Sequence, residues 1–252
     1  MGFEVILMTG VILTGLTAII RFSMPARLKE ITVIKEVANF FPVLLLVFAG
    51  RSFAFEPFRI PSGSMKPVFF EGDFIIIDKF SHGLRWPVTG RRITNAKPSR
   101  GDIVVFRGKI NGEDSYIIKR IIGVPGDNIE YKKKRLYVNG ESIEKTFVNY
   151  ELDKDIVSGN QYPVLRYHEK LDNIEYDIYN YPFVERTAYP FESVEVPEGK
   201  YFVMGNNRDN SADSRYFGLL DDNKVVGRAR LIFFSYTPKS YKLRWDRVGP
   251  VI

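Results

Sequence analysis

Two hydroxyls stand two residues apart in the stretch FRIPSGSMKPVFF, Phe58–Phe70. Ser62 and Ser64 flank Gly63, and Pro61 and Pro67 close the run. Each proline fixes its own φ and biases the residue before it towards extended backbone, whereas glycine tolerates a φ that other residues resist. The pattern predicts a stiff, kinked loop that presents both hydroxyls beside Met65. An ordinary turn ahead of a strand has the same composition, so the loop alone assigns no chemistry.

A serine attacks a carbonyl only with a base at hand and donors for the oxyanion. The chain has no cysteine, which excludes a thiol nucleophile, a disulfide and a Cys-based metal site. Its two histidines, His82 and His168, have no metal-ligand spacing. His82, in KFSHGLRW, reads as a loop residue, and His168, in LRYHEKL, as a surface strand end. A serine nucleophile here uses one of these two histidines or another base, and lysine is the obvious candidate. Lys66 sits among polar turn residues before Pro67 and reads as solvated and protonated. Lys119 differs. In YIIKRIIGV, strand alternation puts Ile117, Lys119 and Ile121 on one face and Ile118, Arg120 and Ile122 on the other. A lysine between isoleucines on a buried face is desolvated, and desolvation lowers its pKa. An ion-paired or snorkelling lysine fits the same pattern. A third stretch, MGNNRDNSADSRYFG, Met204–Gly218, reads as a self-hydrogen-bonded Asn/Asp/Ser/Arg turn.

These residues must be held by the elements around them. Phe3–Ile20 is nearly continuous apolar sequence of bilayer-spanning length. No basic segment precedes it and no small-x-small site follows, which disfavours a cleaved secretory signal. A second apolar segment runs over Phe40–Phe55, extendable upstream through Val37 and Ala38, with Pro42 near its start and Arg51 near its end. A buried or interfacial helix is the rival reading. The expected anchor is 1–57, with spans at 3–20 and 37–55. The linking loop 21–36 carries Arg21, Arg27, Lys29 and Lys35 against Glu30 and Glu36, so the positive-inside rule places it in the cytoplasm. The remainder of the chain then lies on the outer face of the plasma (inner) membrane.

From Asp73 onward, short β-branched and aromatic runs alternate with Gly, Pro, Asn and Asp. Asp73–Lys79, Asp102–Arg107, Tyr116–Val124, Asn128–Tyr131, Leu136–Val138, Lys200–Met204 and Val225–Tyr236 read as strands. The fold class is mostly β: two N-terminal transmembrane helices, then an antiparallel β domain over 58–130 and 196–252. A smaller β subdomain, rich in Tyr, Asp, Glu and Asn, is inserted at 131–195. The net charge of +6 comes from 36 basic residues spread among 30 acidic ones. That dispersion argues against nucleic acid. The one dense run, Lys132–Arg135, reads as a solvated hairpin tip, and anionic lipid headgroups are the other partner for the basic excess.

Together the three stretches resemble bacterial type I signal peptidase (leader peptidase), a membrane-bound Ser/Lys endopeptidase. The resemblance covers roughly Phe41–Gly123 and Val196–Tyr236. It implies Ser64, of the Ser-Met pair, as nucleophile. It implies Lys119 as general base, from the Lys-Arg pair before the GVPGD turn, Gly123–Asp127. It adds Ser62 as an oxyanion donor beside the Ser64 N–H, Ser211 as the serine that orients the lysine, and Asp213 with Arg215 as a supporting ion pair. It also implies shallow pockets lined by Phe58, Ile60, Met65 and Ile117 that accept small side chains, hence cleavage of preprotein signal peptides after small-x-small sites. No cofactor or metal is implied. Two departures stand out: Val68 and Phe69 follow Pro67 where the family continues Thr-Leu, and Asn206 replaces an aspartate. The rivals are a self-cleaving Ser/Lys peptidase of the repressor type and a non-catalytic envelope domain that binds peptides.

Overall fold

In the computed structural model, residues 3–83, 94, 96–110, 112–155, 159–184 and 193–251 are described. The N-terminal part is helical: α1 (Phe3–Ser23), α2 (Ala26–Lys29), α3 (Thr32–Asn39) and α4 (Phe41–Ala49), the last closing with a wide turn over Gly50–Ala54. Two stretches are long and apolar enough to cross a membrane, Val5–Ser23 and Thr32–Ser52. The second begins earlier than the sequence reading placed it, so Lys35 and Glu36 lie within α3 and the linking loop is shorter. The backbone explains this. Phe40 N donates to Glu36 O and Leu44 N to Phe40 O, carrying the ladder from α3 into α4. Pro42 falls in the first turn of α4, where no donor is needed.

Residues 57–82 and those from 96 onward belong to a second compact unit. Its chain opens with β1 (Phe55–Arg59), β2 (Asp73–Asp78), β3 (Ile103–Ile110) and β4 (Glu113–Gly123). Next come β5 (Asn128–Lys132), β6 (Arg135–Val138), β7 (Glu141–Ser142), β8 (Glu144–Lys154), β9 (Gln161–Leu171) and β10 (Ile174–Asn180). It closes with β11 (Val194–Glu195), β12 (Lys200–Met204), the short helix α5 (Ser214–Phe217), β13 (Leu220–Asp221), β14 (Val225–Ser235) and β15 (Gly249–Pro250). The largest sheet runs β1-β2-β14-β3-β4-β12-β13, with β15 on β14. A three-stranded sheet, β10-β9-β8, and a four-stranded one, β11-β5-β6-β7, come mainly from the tyrosine-rich region.

All seven runs read as strands are strands. Strands β8 to β10 do not alternate cleanly: β8 exposes Phe147, Val148, Tyr150 and Leu152, whereas β10 is largely buried. The small sheets share a core with the large one. Ile122, Phe202 and Met204 pack with Ile129, Leu136, Leu171 and Ile178. The Lys132–Arg135 run does form a hairpin tip, with Lys133 and Lys134 both left-handed at φ 49° and 59°. Lys134 is not simply solvated, however: its Nζ turns inward to the Asp209 carboxylate at 2.9 Å. His82 does lie in a turn and His168 near the end of a strand with its side chain partly exposed, as read, but both have carboxylate partners. His82 is buried, its Nε2 2.9 Å from Asp102 Oδ2, and His168 lies within β9 beside Asp177 and Glu175.

Asp73, the first residue of β2, fixes the exit of the hydroxyl-bearing loop. It is fully buried and accepts from Phe70 N, Ser235 Oγ, Arg244 and Arg247. Three cationic or hydroxyl partners compensate the desolvation of its charge. Gly72, just before it, has φ +87°, and a Cβ there would come within 2.2 Å of Tyr236 O.

Candidate active site

Ser64 sits in a single 3-10 turn, Gly63–Met65, between β1 and β2. Lys66 N donates to Gly63 O at 3.1 Å and Phe69 N to Met65 O at 3.0 Å, pinning the loop from within. Gly63 does not take a positive φ. It is needed for space: a Cβ would stand 2.7 Å from Glu71 Oε1 and 2.9 Å from Lys66 Cε. The Ser62 and Ser64 hydroxyl oxygens lie 3.5 Å apart. The tight 3-10 turn that follows Ser62 brings them together.

Lys119 lies on β4 opposite Val104 of β3 and is 3% exposed. Its Nζ is 2.7 Å from Ser64 Oγ and donates to Ile118 O at 2.9 Å. Burial draws its pKa down from 10.5 to about 8, while Asp213 pushes it up and Arg215 pushes it down. The neutral amine is therefore populated near neutral pH, as a base requires.

Lys66 overturns its sequence reading. It is 2% exposed, and its Nζ donates to Asp153 Oδ1 at 2.7 Å and to Lys154 O at 3.1 Å, with Glu71 Oε2 3.2 Å away. A cation among polar turn residues was read as solvated because its carboxylate partner is 87 positions away along the chain.

The segment after β12 closes the site from the other side. Asp213 is fully buried. Burial raises its pKa, but the Arg215 guanidinium and the Gly205 N–H outweigh this and hold the carboxyl low. Arg215 binds it through Nε and Nη2, both at 2.8 Å, and donates onward to Arg208 O at 2.6 Å. Ser211 is buried close by. Lys119 Nζ donates to Ser64 and Ile118, and no hydrogen bond joins it to Ser211 among the described residues. Two residues of this segment were not singled out from sequence. Asn207 N donates to Ser64 O at 3.0 Å and its Nδ2 to Gly63 O at 3.1 Å. Gly205 lies so close that a Cβ would be 2.5 Å from Ser64 O and 2.3 Å from Ser211 Oγ. Asn206, the departure from the family pattern, is buried. It donates Nδ2 to Asp177 O at 2.7 Å, a bond an ionised aspartate could not make.

The residues expected to line pockets divide. Ile60 and Met65 are 2% and 0% exposed and pack in the core beneath the loop, not on an open surface. Phe58 is partly exposed and meets Tyr116 of β4 edge-to-face, ring centroids 4.9 Å apart. Ile117 lines a cavity of about 640 Å³ with Phe106, Phe217 and Leu219.

This site lies inside a recognised sequence family. The family model described as signal peptidase, peptidase S26, matches residues 33–234. The chain belongs to that family. Signal peptidase I of Pseudomonas aeruginosa is 40% identical over 240 residues, covering 88% of this chain and 81% of its own length. The Pseudomonas fluorescens enzyme of the same name is 40% identical over 235 residues, with 88% and 80% covered. That of Buchnera aphidicola subsp. Acyrthosiphon pisum is 34% identical over 259 residues, with 86% and 82% covered. Peptidases of the S26 family are serine endopeptidases, and this chain is one of them. Signal peptidase I relatives are membrane-anchored, and the two apolar N-terminal helices of this S26 peptidase fit such an anchor.

Proposed function

We propose that this S26 peptidase removes N-terminal signal peptides from exported preproteins through Ser64 and Lys119. The contact that carries the assignment is Lys119 Nζ to Ser64 Oγ, 2.7 Å, with the amine buried. As the neutral amine, Lys119 accepts the hydroxyl proton while Ser64 Oγ attacks the scissile carbonyl. The oxyanion then meets the Ser64 N–H and the Ser62 hydroxyl. The new ammonium returns the proton to the leaving amine, and water resolves the acyl-enzyme through the same base. Asp213 and Arg215 position the segment that supports Ser64, within which Ser211 packs against Gly205.

The preprotein lies extended between β1 and β4, near the Phe58–Tyr116 contact, adding its backbone to a sheet edge. Small residues flanking the cut fit because Ile60 and Met65 floor the surface and leave no depth. The β unit faces the outer side of the membrane, the loop between the spans faces the cytoplasm, and the basic excess meets anionic lipid. Residues 131–195 act as an insertion within the catalytic domain. A repressor-type self-cleaving peptidase would not need two spans, and a peptide-binding domain would not need a buried amine on a serine. The deciding assay is cleavage of a purified preprotein by the full chain and by Ser64→Ala. Product of correct N-terminus from the first alone supports the reading; equal cleavage by both removes it.

A further inference from the structure

The inserted region reaches the Ser64 loop through a buried ion pair. Lys66, two residues after Ser64, runs its stem across Gly63 and ends on Asp153 at the far end of β8. Asp153 also accepts from Tyr181 Oη at 3.0 Å. The backbone N–H of Tyr181 donates to Asp209 Oδ2 at 2.8 Å, and its carbonyl accepts from Lys134 Nζ at 2.7 Å. Asp209 lies two residues beyond Asn207, whose N–H holds Ser64 O. The contacts therefore close a ring: Ser64, Lys66, Asp153, Tyr181, Asp209, Asn207 and back to Ser64. Lys66, Asp153 and Asp209 are 2%, 6% and 7% exposed. Replacing such a pair by neutral groups is often no loss in stability, so its retention calls for another role.

We propose that the insertion is a clamp, in which Lys66 and Asp153 are positioning residues that set Ser64 against Lys119. The inference rests on the Ser64/Lys119 assignment above. The clamp adds a side-chain anchor to the short turn, Asn207 and the close approach of Gly205 that locate Gly63 and Ser64, and a misplacement of ~1 Å at a nucleophile can lower turnover by roughly a hundredfold. Apart from Ser64 itself, no residue of the ring hydrogen-bonds the Lys119 amine, which donates to Ser64 and Ile118. Its loss should lower kcat and leave the pH midpoint unchanged.

The test uses the full chain in detergent, a purified preprotein, and the variants Lys66→Met, Asp153→Asn and their double. Each single variant is expected to lower kcat about 10- to 100-fold, with KM within about threefold of wild type and the pH midpoint unmoved. Asn at 153 still accepts from Tyr181, and the double variant removes the Asp153 charge that Lys66→Met strands, leaving only Glu71 without its Lys66 neighbour, so its Tm should recover relative to Lys66→Met. Its kcat should not. A double variant whose kcat returns with its Tm would reduce the pair to a stability element and overturn the proposal. So would a Lys66→Met enzyme with kcat within about twofold of wild type, or one whose loss lies wholly in KM. If Lys66→Met does not fold, Tyr181→Phe serves: it removes one hydroxyl from the ring and should lower kcat roughly 3- to 10-fold, and an unchanged kcat overturns the clamp. Ser64→Ala, run alongside, separates the two ideas. If it cleaves, the catalytic assignment fails; if it is inactive while Lys66→Met is fully active, only the clamp fails.

Discussion

Lys119 Nζ lies 2.7 Å from Ser64 Oγ although the strands that carry them are not neighbours: β14 and β3 stand between β2 and β4. The 3-10 turn between β1 and β2, not a strand, carries Ser64 to the amine. The amine is ionised below about pH 8 and neutral above it. Cleavage is therefore expected to rise with pH to a plateau, with a midpoint near 8 instead of the usual value near 10.5. Single-turnover rates on a preprotein across pH 6–10 measure this, and Lys119→Ala should show no such limb because its rate is abolished throughout.

The same burial has a stability consequence. In the unfolded chain Lys119 titrates near 10.5, and in the folded protein near 8. The folded state binds the proton less tightly, so stability is lowest below about pH 8, where both states are protonated. It rises as pH climbs from about 8 to about 10.5. The burden at pH 7 is about 3 kcal/mol. Lys119→Met should raise the Tm at pH 7, and the advantage should shrink towards pH 10. Thermal melts of both proteins at pH 7 and 9.5 check the slope.

Ser62→Ala should remove one of two oxyanion donors. The expected loss is ~3 kcal/mol of transition-state stabilisation, or roughly 10²–10³ in kcat, with KM and the pH midpoint little changed. An enzyme with unchanged kcat would make Ser62 a turn residue only. A moved midpoint would instead place its hydroxyl against Lys119.

Asp213→Ala leaves the Arg215 guanidinium buried without its carboxylate. Removing one member of a buried pair typically costs about 3–5 kcal/mol. Arg215→Met should be nearly as harmful, because it strands Asp213 at zero exposure. Denaturant melts of each variant and of the double measure the coupling, and additive losses would show that the two charges do not depend on one another.

For the membrane arrangement, a cysteine introduced at Ser23 in this cysteine-free chain is expected to resist an impermeant thiol reagent in intact spheroplasts and to react after lysis. Added protease should digest the region after Glu56 from outside. Labelling of position 23 from outside would reverse the orientation.

Much of this was legible in the residues themselves. Lys119 between isoleucines fitted a desolvated amine and an ion-paired one alike, and the family resemblance decided between them; both faces of β4 are buried there, so alternation alone did not set its environment. The seven strand runs carried their own turn signals. What stayed hidden depends on partners far along the chain. Lys66 and Asp153 are 87 positions apart, and nothing near either one marks the other. Gly63 looked like a conformational glycine, whereas its requirement is steric and set by Glu71 and Lys66 folding over it. In the serine loop Asn207 meets only backbone carbonyls, and Gly205 acts by having no side chain, so neither shows which segment it serves.

The place of β14 has a consequence for timing. Residues 225–235 slot between strands made some 120 to 150 positions earlier, between β2 and β3. During synthesis the two apolar helices emerge first, then the serine, then the lysine, all before the strand that sets their separation exists. Until that strand enters, the sheet is two unjoined pieces and the hydroxyl has no amine beside it. On the proposed assignment, a growing chain is expected to stay inactive until this strand is made, and so to spare its own apolar segments and those of neighbouring nascent chains during translation.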